Sequence, residues 1–108
     1  IPSKDDILLQ RADAFIAAHL SDVTVSSLCA HLAVSRTKLY ALYRDNLHTG
    51  VSEVIRSRRL RGAKTLLKTT ELSIAEIAAR TGFSDYNYFS RVFKRHFGRS
   101  PKFYRQNS

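Results

Sequence analysis

Apolar residues recur along this chain at spacings of three and four, the period of amphipathic helices, with almost no strand signal. Ser3, with Asp6 three residues on, can cap a first helix whose apolar face is Leu8, Ala12, Phe15, Ile16 and His19. Residues 20–24 read as a loop. Thr24 can then cap a short helix carrying Val25, Leu28, Cys29 and Leu32. Ala33 and Val34 make a tight turn, and Ser35 caps a third helix through Leu39, Leu42 and Tyr43. A long helix follows over about residues 51–68, with Val51, Val54, Ile55, Ala63, Leu66 and Leu67 on its apolar side. Ser73 and Glu76 predict a capping box ahead of Ile74, Ile77 and Ala78. Gly82 and Phe83 turn the chain, and Ser84 or Asp85 opens a helix with Phe89, Phe93 and Phe97 inward. Ser100 and Pro101 begin a short last helix.

Part of this pattern occurs twice. Val25, Leu28, Cys29, Leu32, Ala33, Val34 and Ser35 correspond, at a spacing of 49, to Ile74, Ile77, Ala78, Thr81, Gly82, Phe83 and Ser84. After a one-residue insertion, Leu39, Tyr43 and Leu47 correspond to Phe89, Phe93 and Phe97. Each copy is a short helix, a tight turn and a second helix, which is the helix-turn-helix plan. Cys29 and Ala78 are small enough for the two helices of each copy to approach closely. Gly82 suits a left-handed turn position, whereas Ala33 in the equivalent place carries a steric cost of about 1 kcal/mol there. The expected organisation is a first helix-turn-helix subdomain over residues 1–50, a connecting helix over 51–69 and a second subdomain over 70–108.

Charge separates the two copies. Residues 1–50 hold five basic and five acidic groups, while residues 51–108 hold thirteen basic groups against four acidic ones, so the whole +9 lies in the second half. A field of that sign attracts polyanions, either nucleic acid or an anionic membrane face. The outward faces of the second helices refine the choice. Arg36, Thr37, Lys38, Tyr40, Ala41 and Arg44 lie off the apolar stripe of the first. Tyr86, Asn87, Tyr88, Ser90, Arg91, Lys94 and Arg95 lie off that of the second. Arg can bind guanine with two hydrogen bonds, Asn can do the same with adenine, and Thr or Ala can pack on a thymine methyl. Cations near helix ends suit phosphates, which predicts backbone contacts from Arg36, Lys38, Arg44, Lys94 and Arg95.

Composition narrows the remaining classes. At 44% hydrophobic and 25% charged residues the chain is an ordinary globular protein. The single cysteine, Cys29, excludes an intrachain disulfide and suits a reducing, cytoplasmic compartment. No apolar run reaches the roughly 20 residues that span a bilayer. Cys29, His19, His31, His48 and His96 have no metal-ligand spacing, and no nucleophile–base pair or glycine-rich phosphate loop is present. Neither a cofactor nor catalysis is expected. Arg56, Arg58, Arg59 and Arg61 suit either phosphate contact or a solvated helix face with acid partners. The chain starts at Ile1 and has no methionine, which points to a piece of a longer protein carrying an effector or receiver domain N-terminal to it.

The run SIAEIAARTGFSDYNYFSRVFKRHFGRSPKFYR, from Ser73 to Arg105, resembles the signature of the AraC/XylS family of transcription regulators. RRLRGAKTLLKTT resembles that family's connecting helix, and VTVSSLCAHLAVSRTKLYALYRDNL its first reader. The resemblance covers nearly all of residues 3–106. It implies an all-α, homeodomain-like domain of about seven helices, with two readers that enter successive major-groove segments of double-stranded DNA. Position by position, it places base reading on Thr37, Tyr40 and Ala41 in the first unit. In the second it places base reading on Tyr86, Asn87, Tyr88, Ser90 and Arg91. Ala41 stands where the family commonly has arginine, and His48 stands where a glycine is usual. The resemblance also implies RNA polymerase as a partner at promoters. A non-specific architectural DNA binder would share the charge without the sequence preference, and a module docking on an acidic protein or membrane would have no duplex affinity.

Overall fold

In the computed structural model, which describes residues 1–107, the apolar periods become seven α-helices. They run α1 (Lys4–Ala18), α2 (Val25–Leu32), α3 (Arg36–Leu47), α4 (Val51–Thr69), α5 (Ile74–Arg80), α6 (Tyr86–Phe97) and α7 (Pro101–Gln106). Among the described residues there is no strand, so the fold is all-α as expected.

Side-chain oxygens start six of these helices by taking up an amide that the first turn leaves unpaired. Ser3, Thr24, Ser35, Ser73, Asp85 and Ser100 each accept from the backbone amide three residues on. Of the two candidates before α6, Asp85 is therefore the cap. Ser3 with Asp6, and Thr24 with Ser27, form reciprocal boxes. The box expected at Ser73 is not reciprocal. Its hydroxyl lies 3.3 Å from Glu76 Oε1, so the carboxylate takes the hydroxyl rather than the Ser73 amide. His19 falls just beyond α1 and is exposed, although its ring lies 4.4 Å from that of Phe15.

The helices divide between two compact units, Ile1–Arg58 and Arg59–Ser108, each with its own core. In the first, α1, α2 and α3 bury Ile16, Leu28, Leu39, Leu42 and Tyr43, joined by Val51 and Ile55 of α4. In the second, Leu60, Ala63 and Leu67 of α4 pack with Ile77, Ala78, Phe83, Phe89 and Phe93. Burying one side chain such as Leu39 or Phe93 contributes about 1.5–3 kcal/mol. The α4 sequence thus feeds its first turns to one core and its later turns to the other.

Aromatic contacts stiffen the second unit. Phe83, Phe89, Phe93 and Phe97 form a chain with centroid separations of 5.0, 5.6 and 4.7 Å, closed by Tyr104 of α7 at 5.7 Å from Phe93. Lys64 of α4 sits 4.8 Å from the rings of both Phe97 and Tyr104. The end of α4 is held by Arg105, which donates to the carbonyls of Leu67, Thr70 and Leu72. These acceptors are among the carbonyls that a helix end and the following loop cannot satisfy by themselves.

Candidate nucleic-acid interface

The interface begins at the two turns, because they aim the helices that follow. In the first unit the Val34 amide donates to the Cys29 carbonyl at 3.1 Å, and Ala33 donates to Ala30 at 3.3 Å. In the second, Phe83 donates to Ala78 at 2.9 Å, and Gly82 donates to Ala79 at 3.2 Å. Both pairs are the nested closure of a Schellman motif, which needs a left-handed residue after the helix. Ala33 supplies it at φ 56° and Gly82 at φ 99°. Space also restricts position 82, because a Cβ built there would lie 2.5 Å from Arg59 Nε.

Each turn is followed by a helix with one buried face and one open face. In α3, Leu39, Leu42 and Tyr43 are buried, while Thr37 and Tyr40 are exposed and Ala41 is half-buried. In α6, Phe89 and Phe93 are buried, while Tyr86, Asn87, Tyr88 and Arg91 are exposed and Ser90 is half-buried. Arg91 has its guanidinium carbon 5.8 Å from the Tyr88 ring centre, within reach of a cation–π contact. All five cations assigned to phosphate, Arg36, Lys38, Arg44, Lys94 and Arg95, are exposed. Each helix thus collects its own set of the sequence-derived site residues on one accessible surface.

The electrostatics of the two helices differ. Residues 1–58 carry seven basic and six acidic groups, whereas residues 59–108 carry eleven basic and three acidic. In the first unit, Arg36 donates to Ser26 Oγ at 2.5 Å, Lys38 reaches Asp5 at 3.4 Å and Arg44 donates to Asp45 at 2.9 Å. The hydrogen bond from Asn46, helped by Lys38 and opposed by partial desolvation, holds the Asp5 carboxyl below the usual carboxylate range. Asp45 in turn holds the Arg44 guanidinium above its ordinary value through its hydrogen bond and charge. Asp5 is a participant that the sequence did not reveal. Its contact with Lys38 spans 33 positions, and no local pattern announces it.

On the connecting helix, acid partners are seen for two of the four arginines. Arg56 pairs with Glu53 at 2.6 Å and Arg58 with Asp13 at 2.5 Å, so both have acid partners. Among the described residues no group of His, Cys, Asp or Glu could hold a metal ion, and Cys29 is a buried free thiol. Among the same residues, no helix is long and apolar enough to cross a membrane.

Two helix-turn-helix units, each presenting an exposed polar and basic second helix, define a double DNA-reading module. The chain matches the family described as a helix-turn-helix domain over residues 28–107. It is 42% identical over 85 residues to the HTH-type transcriptional regulator AlkR of Acinetobacter baylyi, covering 79% of this chain and 28% of AlkR. Among solved structures it resembles the C-terminal domain of AraT, a response regulator from Geobacillus stearothermophilus. The TM-score is 0.86 at 34% identity, covering 98% of this chain and 89% of that one. It also resembles the DNA-binding domain of AdpA, a global transcriptional factor solved in complex with a target DNA. There the TM-score is 0.82 at 28% identity, with 92% and 89% of the chains covered. This chain belongs to the AraC family of transcription regulators, as its DNA-binding domain. That family is a non-enzymatic, DNA-binding class. The chain spans about a third of the length of the curated relatives it matches, from 28% to 36% in the cases of AlkR and an arabinose operon regulatory protein.

Proposed function

We propose that this domain binds double-stranded DNA sequence-specifically, with α3 and α6 entering two successive major-groove segments, and so controls bacterial transcription at a promoter or operator. The observation that carries this reading is the doubled turn, each copy closed by the same hydrogen bonds and followed by an exposed basic helix. Residues 1–50 act as the first reader, 51–69 as the connector and 70–108 as the second reader. Thr37, Tyr40 and Ala41 read bases in one segment; Tyr86, Asn87, Tyr88, Ser90 and Arg91 read them in the other. Arg36, Lys38, Arg44, Lys94 and Arg95 hold phosphates and fix register. The Ala41 side chain is a methyl group with no donor or acceptor, so the first reader discriminates through Thr37, Tyr40 and apolar contact.

In this reading the domain is one part of a cytoplasmic regulator. A further domain, N-terminal to it, binds an effector or receives a phosphoryl signal; the kinship with a response regulator supports the second possibility. RNA polymerase is the partner at the promoter. The test is selection of bound duplexes from a random pool at near-physiological salt with competitor DNA. A bipartite motif with halves about 10 base pairs apart is the expected result. Tight binding at low salt without any enrichment would instead identify a non-specific architectural binder.

A further inference from the structure

Of the three cations on the first recognition helix, Arg36, Lys38 and Arg44, the last two are paired with carboxylates. Lys38 Nζ lies 3.4 Å from Asp5 Oδ1, and Arg44 Nε donates to Asp45 Oδ1 at 2.9 Å. Asp5 Oδ2 also accepts from Asn46 Nδ2 at 3.1 Å, so α1 sets one carboxylate against two side chains of α3. Lys38 and Asp45 are two turns apart on one side of α3, next to the outward line of Thr37, Ala41 and Arg44. A duplex phosphate would approach this flank when a helix lies in the major groove. Carboxylates already stand there.

The second recognition helix has no such arrangement. Among the described residues, Arg91, Lys94 and Arg95 form no ion pair, and the nearest acid in sequence, Asp85, is engaged in capping α6. A cation that meets a phosphate while free displaces condensed counterions and makes binding salt-dependent. One that must first leave a carboxylate gains less, and the abandoned carboxylate then repels the phosphate.

We infer that Asp5 and Asp45 are specificity-determining positioning residues, which act through Lys38 and Arg44 to suppress sequence-independent DNA affinity in the first recognition helix. The inference rests on the DNA-binding reading above. The first reader then adds base contacts to the complex while adding little to its grip on arbitrary sequence, and the second unit supplies the salt-dependent anchor. A domain with two equally adhesive readers would spend more time on competing sites, since non-specific affinity scales with the phosphates neutralised.

The test uses the whole 108-residue chain and measures binding to the selected duplex and to a scrambled one of equal length, over about 50 to 200 mM salt. Four proteins are compared: the parent, Asp5→Asn with Asp45→Asn, Lys38→Gln with Arg44→Gln, and all four changes together. Asparagine keeps the size and shape of the carboxylates while removing their charge, and its one carbonyl oxygen can still accept a hydrogen bond where the carboxylate offered two acceptors. The Asp→Asn pair should steepen the log-affinity against log-salt slope by about 0.9 for each cation set free. It should also tighten binding to the scrambled duplex more than to the selected one. In the Lys38→Gln, Arg44→Gln background the same two changes should leave the slope unaltered. An unchanged slope in the parent background would overturn the inference. So would equal steepening in both backgrounds, which marks a diffuse field effect not exerted through Lys38 and Arg44. Should the double variant fold poorly by circular dichroism, Asp5→Asn alone carries the same prediction at about half the size. Failure of the parent chain to bind either duplex is a different result, and it removes the DNA-binding reading itself along with this inference.

Discussion

The amide of Val34 donates to the carbonyl of Cys29 at 3.1 Å, the same closure that Phe83 makes with Ala78 in the second turn at 2.9 Å. The equivalence puts Ala33 in a left-handed conformation at φ 56°, where Gly82 stands at φ 99°. A Cβ in that region meets backbone atoms and glycine does not. Ala33→Gly should therefore raise stability by up to about 1 kcal/mol, read as a higher urea midpoint at constant m-value. His48→Gly, at φ 55°, should act in the same direction. Gly82→Ala should do the opposite and cost about 1–2 kcal/mol, because φ is strained and the Arg59 side chain must move aside. No change at Ala33 would mean that the backbone relaxes out of the left-handed region.

Arg105 joins the last helix to the end of α4 and the loop after it, through the carbonyls of Leu67, Thr70 and Leu72. Arg105→Ala should destabilise the domain by about 2–3 kcal/mol, since a charged donor is lost and partly buried acceptors are left unpaired. Arg105→Lys should recover only part of this, because an ammonium cannot reproduce the planar fork. Thermal unfolding of the three proteins checks both statements; equal stability of the arginine and lysine forms would refute the geometric part.

In the proposed reading, Arg91 and Lys94 separate base reading from backbone binding. Arg91→Ala should cost about 1–3 kcal/mol on the selected site and relax preference at one base pair. Lys94→Ala should weaken all duplexes alike and shallow the salt slope by about 0.9. Competition binding against every single-base variant of the site gives both readouts. If Arg91→Ala weakened every sequence equally, Arg91 would belong with the phosphate contacts.

Tyr43 gives the fold an alkaline limit. Burial pushes its phenol above the ordinary value, with the Asp13 carboxylate adding to the effect and Arg58 opposing it. The neutral phenol is thus favoured in the folded state. The stability this represents is fully present below about pH 10 and is lost as pH rises through the higher folded value. Tyr43→Phe should flatten the fall in stability above pH 10, measured by denaturant unfolding at a series of alkaline pH values. An unchanged slope would show that other groups set that limit.

Much of this was legible along the chain because it is local. Helix periods, caps and turns depend on residues within four or five positions of each other, so α1 to α7 follow from spacing and from Ser, Thr, Asp and Pro at the right places. The repeat at 49 residues exposed the two readers, and the outward faces of α3 and α6 followed from the buried ones. Side-chain geometry inside the local motifs was less legible. The Glu76 carboxylate satisfies a hydroxyl instead of an amide, a choice of rotamer that sequence does not carry.

The sequence by itself determined the seven helices, the doubled reader and the concentration of positive charge in the second half. Only the tertiary structure decided which cations are free. Lys38 meets Asp5 across 33 positions and Arg58 meets Asp13 across 45, while Arg91, Lys94 and Arg95 acquire no acid partner among the described residues. The physical reason is distance along the chain. Periodicity fixes the face on which a charge emerges, but its neighbour is chosen by how helices pack, and packing is set by the buried side chains rather than by the charges themselves.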